Sequence, residues 1–291
     1  MNKQHEKLMA DLQRLLETKD LKSEEDLRKF MNTMVGQKVP SFPKETLNKK
    51  EQAQDLVFEA YDLTPAKAKA KIEKALQLDP ECIEAYEYLG SIEQTTEIAI
   101  VFFEKGISIG RQVFGGNYLK ENKGMFWGYH ETRPFMRCLQ HYSDCLYTTG
   151  KIKESVAILE EMIVLNPNDN QGVRDQLLLC LIRLDDNKKF MKYAKMYEDD
   201  SMAFALFNRA LFAFKTEGAT ENANKQLSKA LQQNKHVAKR LLSNKIIIEL
   251  SDYYGFGDEN EADYYASYAQ EVWQETDGAR EWLKKQHAKL Q

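Results

Sequence analysis

Apolar side chains recur at helical spacing along almost the whole chain. Leu8, Met9, Leu12, Leu15 and Leu16 form one stripe. Leu27, Phe30, Met31, Met34 and Val35 form a second, opened by Ser23 with Asp26 three residues on, an incomplete capping box. Val173, Leu177, Cys180 and Leu181 make a third stripe. Leu178, Leu179 and Ile182 fill its remaining faces, which predicts a helix buried nearly all round. Strand-like alternation of period two is almost absent, and 291 residues include only 14 Gly and 6 Pro. The pattern predicts an all-α fold.

Repeats narrow the class. Ala68, Ile72, Ala75 and Pro80 set a spacing that returns as Ala223, Leu227, Ala230 and Lys235, with lysine where proline would stand. It returns again, with serine first, as Ser155, Leu159, Met162 and Pro167. Pro167 and Lys235 are 68 residues apart, two periods of about 34, the tetratricopeptide (TPR) length. Pro80 and Pro167 are 87 apart, which requires an insertion between them. Tyr86, Leu89 and Gly90, and later Leu139, Tyr142 and Ser143, fit the preceding first helices. Small residues such as Ala68, Ala99, Gly106 and Ala223 let paired helices approach closely.

The expected architecture is a TPR-like α-solenoid of about six helix pairs, at roughly 50–79, 82–108, 134–165, 168–197, 201–233 and 258–288. An N-terminal helical pair with its linker Pro40-Ser41-Phe42-Pro43 occupies residues 1–48, and the repeat domain 49–291. Irregular insertions are expected near 110–132 and 244–258, where long connections usually carry function or plug the fold.

Charge and composition remove several function classes. With 41 basic and 45 acidic residues the formal net charge is −4, which disfavours a nucleic-acid partner. Four cysteines make no disulfide framework. No signal-like apolar core follows Met1, and the longest apolar run, Ile98 to Phe103, is too short for a membrane span. A cytoplasmic protein without membrane contact is expected.

Candidate chemistry clusters at the first insertion. Trp127, His130, Glu131 and Arg133 lie within seven positions and offer a pocket for a carboxylate or aromatic group. The alternative is structural: Thr132 caps a helix, Pro134 takes its first turn, Glu131 and Arg133 pair, and Trp127 plugs the insertion. Cys138, His141 and Cys145 share one helix face but lack a fourth ligand, so neither metal nor cofactor is expected. Asn168 to Gln171 open a helix, leaving Gln171 and Arg174 as groove candidates beside Arg137. Tyr265 with Ala262, Ala266, Ala269 and Trp273 is core by spacing, which leaves Tyr264 and Tyr268 exposed. The acids Asp258, Glu259 and Glu261 are ascribed to the helix dipole. Glu84, Glu87 and Ser91, followed by Arg137, Gln140 and Asp144, cannot form a carboxylate clamp, so acidic C-terminal chaperone tails are disfavoured.

Several blocks carry a family resemblance. They are Phe114-Gly115-Gly116-Asn117-Tyr118, Lys123 through Arg137, Leu165 through Arg174, His236-Val237 with Leu241-Leu242, and Gly257 through Ala262. In these the chain resembles the suppression-of-tumorigenicity-seven group of TPR proteins and its soluble bacterial relatives, over about residues 50–285. The resemblance implies a TPR-like solenoid without established catalysis. It departs at Asn234 to Ala238, where that group usually shows prolines.

The expected function is therefore a non-catalytic scaffold or adaptor that binds a protein or peptide on the concave face of the repeats. A peptide- or small-ligand-responsive regulator is the alternative. An enzyme using His130 as general base, oriented by Glu131, ranks behind both, because adjacent residues seldom converge on one point.

Overall fold

The computed structural model describes residues 3–243 and 250–290, which divide into two compact units, 1–170 and 171–291. Among the described residues there is no strand. Unit 1 begins with α1 (Lys3–Glu17) and α2 (Glu24–Met34). Three antiparallel pairs follow: α3 (Lys49–Ala60) with α4 (Pro65–Leu78), α5 (Ile83–Ile92) with α6 (Thr96–Val113), and α8 (Arg133–Thr148) with α9 (Ile152–Leu165). The short α7 (Gly116–Asn122) lies between the last two pairs. Unit 2 holds α10 (Val173–Arg183) with α11 (Asn187–Met196), and α12 (Ala203–Glu217) with α13 (Glu221–Gln233). After α14 (Val237–Leu242) comes α15 (Glu259–Glu275) with α16 (Ala279–Ala288). The six expected pairs are present, three in each unit.

The repeat spacing has a direct packing cause. Ala68, Ile72 and Ala75 are fully buried, as are Ala223, Leu227 and Ala230 in the corresponding second helix of unit 2. Each alanine lets its helix lie close against the first helix of its own pair. In α9 the first position is Ser155, and its hydroxyl is satisfied 2.9 Å from that of Ser143 on α8. The serine thus keeps the small-residue contact by bringing a partner with it. Where proline is missing after α13, Asn234 shapes the turn instead. Its Oδ1 accepts from His236 N at 2.9 Å, and its Nδ2 donates to Asp258 O at 2.9 Å. The α10 helix is buried nearly all round, with Leu177, Leu178, Leu179, Leu181 and Ile182 all inside.

Two boundaries differ from the sequence expectation. The first insertion is largely helical: α6 continues to Val113 and α7 follows. Gly110 is therefore not a breaker. A Cβ there would fall 2.2 Å from the Phe135 ring, so glycine serves the α6–α8 contact. Helix α10 starts at Val173 rather than 168, after Gly172 in the left-handed region at φ +72°. Of the second insertion, residues 244–249 lie outside the described residues.

The N-terminal helix also sits otherwise than its apolar stripe predicts. Glu6, Ala10, Arg14 and Leu15 are buried, whereas Leu8 and Met9 are exposed. The charged face of α1 is turned inward. Helix α2 buries none of its residues, and its cap is the expected Ser23, which accepts from Asp26 N at 3.1 Å.

Candidate functional site

Ion pairs at both ends of α1 seat it on unit 1 beside its buried Ala10 and Leu15. Helices α3, α5 and α8 are the first members of their pairs and lie side by side. On α5, Glu84 and Glu87 are one helical turn apart and so share a face. On α8, Arg137 faces them. Its Nε donates to Glu87 at 3.0 Å, one Nη to Glu84 at 3.1 Å and the other to Glu6 of α1 at 2.8 Å. Lys3 of α1 adds a second cation, 2.6 Å from Glu84, 3.4 Å from Glu87 and 3.6 Å from Glu6. The four groups Glu6, Glu84, Glu87 and Arg137 are at most 8% exposed. Such burial is tolerable only because every charge has an opposite neighbour.

The site polarises its members. Burial pushes the Glu87 carboxyl upward, but Arg137, Lys3 and His141 outweigh it and hold the group below its ordinary value. Burial works against the Arg137 charge, yet Glu87, Glu84 and Glu6 hold the guanidinium firmly protonated. His141 completes the cluster 3.9 Å from Glu87 and stacks on Phe103 with ring centroids 5.3 Å apart. Burial, helped by Arg137 and Lys3, lowers its pKa despite the pull of Glu87. One turn before it, Cys138 is buried, its thiol pushed well up by burial. Cβ addition at Gly106 would reach Cys138 Sγ at 2.7 Å, so the thiol is a packing group.

At its other end α1 is held by Arg14, which reaches Asp55 at 3.0 Å and Glu51 at 3.3 Å on α3, and its own Asp11 at 2.9 Å. Between these two anchors lies a cavity of about 430 Å³ lined by α1, the starts of α3 and α5, and His130, Glu131 and Pro134.

The first insertion meets this cavity at one edge and the core at the other. Phe126 is the plug, not Trp127. It is 1% exposed, donates from its amide to Leu165 O at 3.1 Å, and packs against Phe114, Tyr118 and Phe135. Trp127 is only half-buried and lies 5.6 Å beneath the Arg133 guanidinium. Arg133 donates to Trp127 O at 3.0 Å rather than pairing with Glu131. Glu131 instead lies 3.3 Å from His130 and accepts from Tyr118 at 3.4 Å, where burial and its charge push the tyrosine up to about 12. Thr132 occupies the cap position, but its hydroxyl donates back to Phe126 O and Tyr129 O and ties the loop down. Pro134 takes the first turn of α8 as expected.

The remaining candidates lie in unit 2. Arg174 is bound to Asp200 at 2.7 and 2.8 Å and lies over the Tyr197 ring. Gln171 stands just before α10 and is half-buried. Tyr264 and Tyr268 are half-buried rather than exposed. Tyr264 donates to Ser251 O at 2.7 Å and packs on Tyr254, while Tyr268 packs edge-on to Phe204. Tyr265 is core, accepting from Trp273 Nε1 at 2.8 Å and donating to Asn208 at 3.2 Å.

Two sets of residues escape the sequence reading. In unit 1, Lys3, Glu6, Glu84 and Glu87 carry the seat with Arg137. The legible signal was the acid pair on one first helix facing a lone arginine on the next. In unit 2, Glu261 is fully buried, and among the described residues no cation pairs with it. Its carboxylate accepts from Ala203 N at 2.8 Å, Gly257 N at 2.8 Å, Asn234 Nδ2 at 2.9 Å and Gln233 Nε2 at 3.0 Å. Asp258 is the true helix cap, accepting from Glu261 N at 2.7 Å and Gly255 N at 2.6 Å. The dipole explanation thus holds for Asp258 and fails for Glu261, which joins three helices.

Among the described residues no group of ligating side chains is placed to hold a metal, and no helix is long and apolar enough to cross a membrane. No protein-family model matches the chain. A suppressor of tumorigenicity 7 protein-like chain from Bos taurus is 24% identical over 241 residues, covering 74% of this chain and 43% of that protein. Its Homo sapiens counterpart is 24% identical over the same length and is covered to 41%. The chain therefore spans about two-fifths of the length of these relatives. Among solved structures, YrrB, described as a TPR protein with an unusual peptide-binding site, aligns with a TM-score of 0.46 and 21% identity. That alignment covers 70% of this chain and 91% of YrrB. This chain is similar to the suppressor of tumorigenicity 7-like proteins, the group that its signature blocks resemble.

Proposed function

We propose that the protein is a non-catalytic scaffold that binds a helical protein or peptide segment across the first helices of unit 1. One observation carries this reading. Glu84, Glu87 and Arg137, on α5 and α8, are buried and pair with one another and with Lys3 and Glu6 of a helix outside the repeats. A first-helix face that only completed a core would be apolar; this one offers oriented charge, which gives specificity of partner and register. The seat is rich in carboxylates, which disfavours nucleic acid and acidic peptide tails. His130 and Glu131 are taken up with each other and with Tyr118, which supports no catalytic role.

The test is photo-crosslinking in the native host, with a photoreactive residue at position 54 on α3 or 141 on α8, and at position 74 on α4 as the outer control. Partner adducts at 54 or 141 and none at 74 are the expected result. Adducts confined to position 74 would overturn the assignment of the face.

A second reading, a small-ligand-responsive regulator, has an observation of its own. The 430 Å³ cavity is roofed by α1, so a ligand filling it would bear directly on Glu6, Ala10 and Arg14. Small-molecule soaking that protects α1 from proteolysis would favour it.

A further inference from the structure

Helix α1 is unusually seated. A helix that docks for stability turns its apolar stripe inward, because burial of each large apolar side chain contributes about 1.5–3 kcal/mol. Here Ala10 and Leu15 are buried, but Glu6 and Arg14 are buried beside them while Leu8 and Met9 remain outside. The ionic part of the hold is concentrated at two anchors. Lys3 meets Glu84 and Glu87; Arg14 meets Asp55 and Glu51. Lys3 and Arg14 are eleven residues apart, about three turns or 16 Å along a helix. Lifted from the seat, α1 would uncover four carboxylates, on α3 and α5, against the single cation Arg137.

Resting on the reading of unit 1 as a helix-binding face, we propose that α1 is an exchangeable resident of this face. Its external competitor is a basic helix carrying two cationic residues three turns apart and a carboxylate one turn after the first. The two cations of that helix take the places of Lys3 and Arg14. Its carboxylate takes the place of Glu6 on Arg137. A small residue is required where Ala10 stands, because that position is buried between the anchors. An acidic or uncharged helix leaves Glu84 and Glu87 buried with too little compensating charge and is refused. Because α1 is tethered to its seat, the competitor works against a high effective concentration, and the closed form weakens its apparent affinity.

The probe is a labelled peptide of residues 1–18, added to the 291-residue chain and read by fluorescence anisotropy. The K3E/R14E variant of the same chain, in which α1 is repelled by its own seat, is expected to bind the peptide at least about tenfold tighter than wild type, as removal of a tethered competitor requires. A peptide carrying the same two reversals is expected to bind neither protein. Equal affinity for wild type and variant, or binding of the reversed peptide, would overturn the proposal. Hydrogen exchange of the wild-type protein provides a measurement free of mutation: α1 amides should lose protection when unlabelled peptide is in excess. Unchanged α1 protection at saturating peptide also overturns it. A seat that accepts the probe while native partners crosslink only at position 74 would sink the proposed function and leave this inference standing.

Discussion

Each unit buries carboxylates, and the two solve the same electrostatic problem in opposite ways. In unit 1, Glu6, Glu84 and Glu87 are paired with Arg137 and Lys3, two cations set against three carboxylates across three helices. In unit 2, Glu261 has no cation among the described residues and is held by two backbone amides and two side-chain amides. Ion pairing is long-ranged and tolerant of small movements, which suits a seat for an exchangeable helix. Amide donors require short distances and fixed backbone, which suits a permanent joint. The difference sets a seat of paired charges against a joint of fixed amide donors.

The most damaging change to this balance is expected from Arg137→Met. It leaves three carboxylates around Lys3 alone, and removal of one partner of a buried ion pair costs about 3–5 kcal/mol. Urea denaturation would check it. A loss below about 1 kcal/mol would mean that the cluster is hydrated and not a buried pair. Next comes Glu261→Gln, which turns one acceptor into a donor facing donors and should cost about 1–3 kcal/mol. Its signature is faster hydrogen exchange at Ala203 and Gly257, with α1 unaffected. Coupled loss at both sites would erase the distinction between them.

Acidification should act on unit 1 in two stages. His141 is lowered from its ordinary 6.5, so the folded state binds fewer protons than the unfolded one, and stability falls as pH drops below about 6.5. Glu87 is held below its ordinary 4.5; its contribution is complete above that value and is lost as pH falls through its lower folded value. A His141→Phe variant should flatten the first stage and keep the second. A pH profile of that variant identical to wild type would remove His141 from the cluster. The smallest effect is expected from salt. Raising ionic strength from about 0.1 to 1 M shortens the screening length from about 10 to 3 Å and should weaken the partly exposed Lys3 anchor by under about 1 kcal/mol, and the buried Arg14 anchor less. Hydrogen exchange should show α1 loosening while the Glu261 joint is unchanged.

Much of the fold was legible from local spacing. Ala68-Ile72-Ala75 and Ala223-Leu227-Ala230 located second helices because a residue's burial on a helix follows from its position in the turn. Gly90 and Gly106 were legible as close-approach positions, and Phe103 and Cys138 indeed fill the space that a Cβ would take. The site was legible only in part. Arg137 was singled out as a contact residue, but its partners lie 50, 53 and 131 positions away. No local pattern links such residues. The structural alternative for the first insertion placed Trp127 as its plug. Phe126 took the place because the Phe114, Phe135 and Leu165 surroundings meet that position of the loop.

By itself the sequence determined the all-α class, the six helix pairs and the helix-starting residues Ser23 and Pro134, since each depends on contacts within a few turns. Only the tertiary structure decided that α1 lies with its charged face inward, that Glu84 and Glu87 confront Arg137, and that Glu261 is bound by amides. Helical periodicity reports which residues share a face. It carries no information on which other face, far along the chain, will meet it, and charge complementarity there brought Glu6 and Arg14 inside.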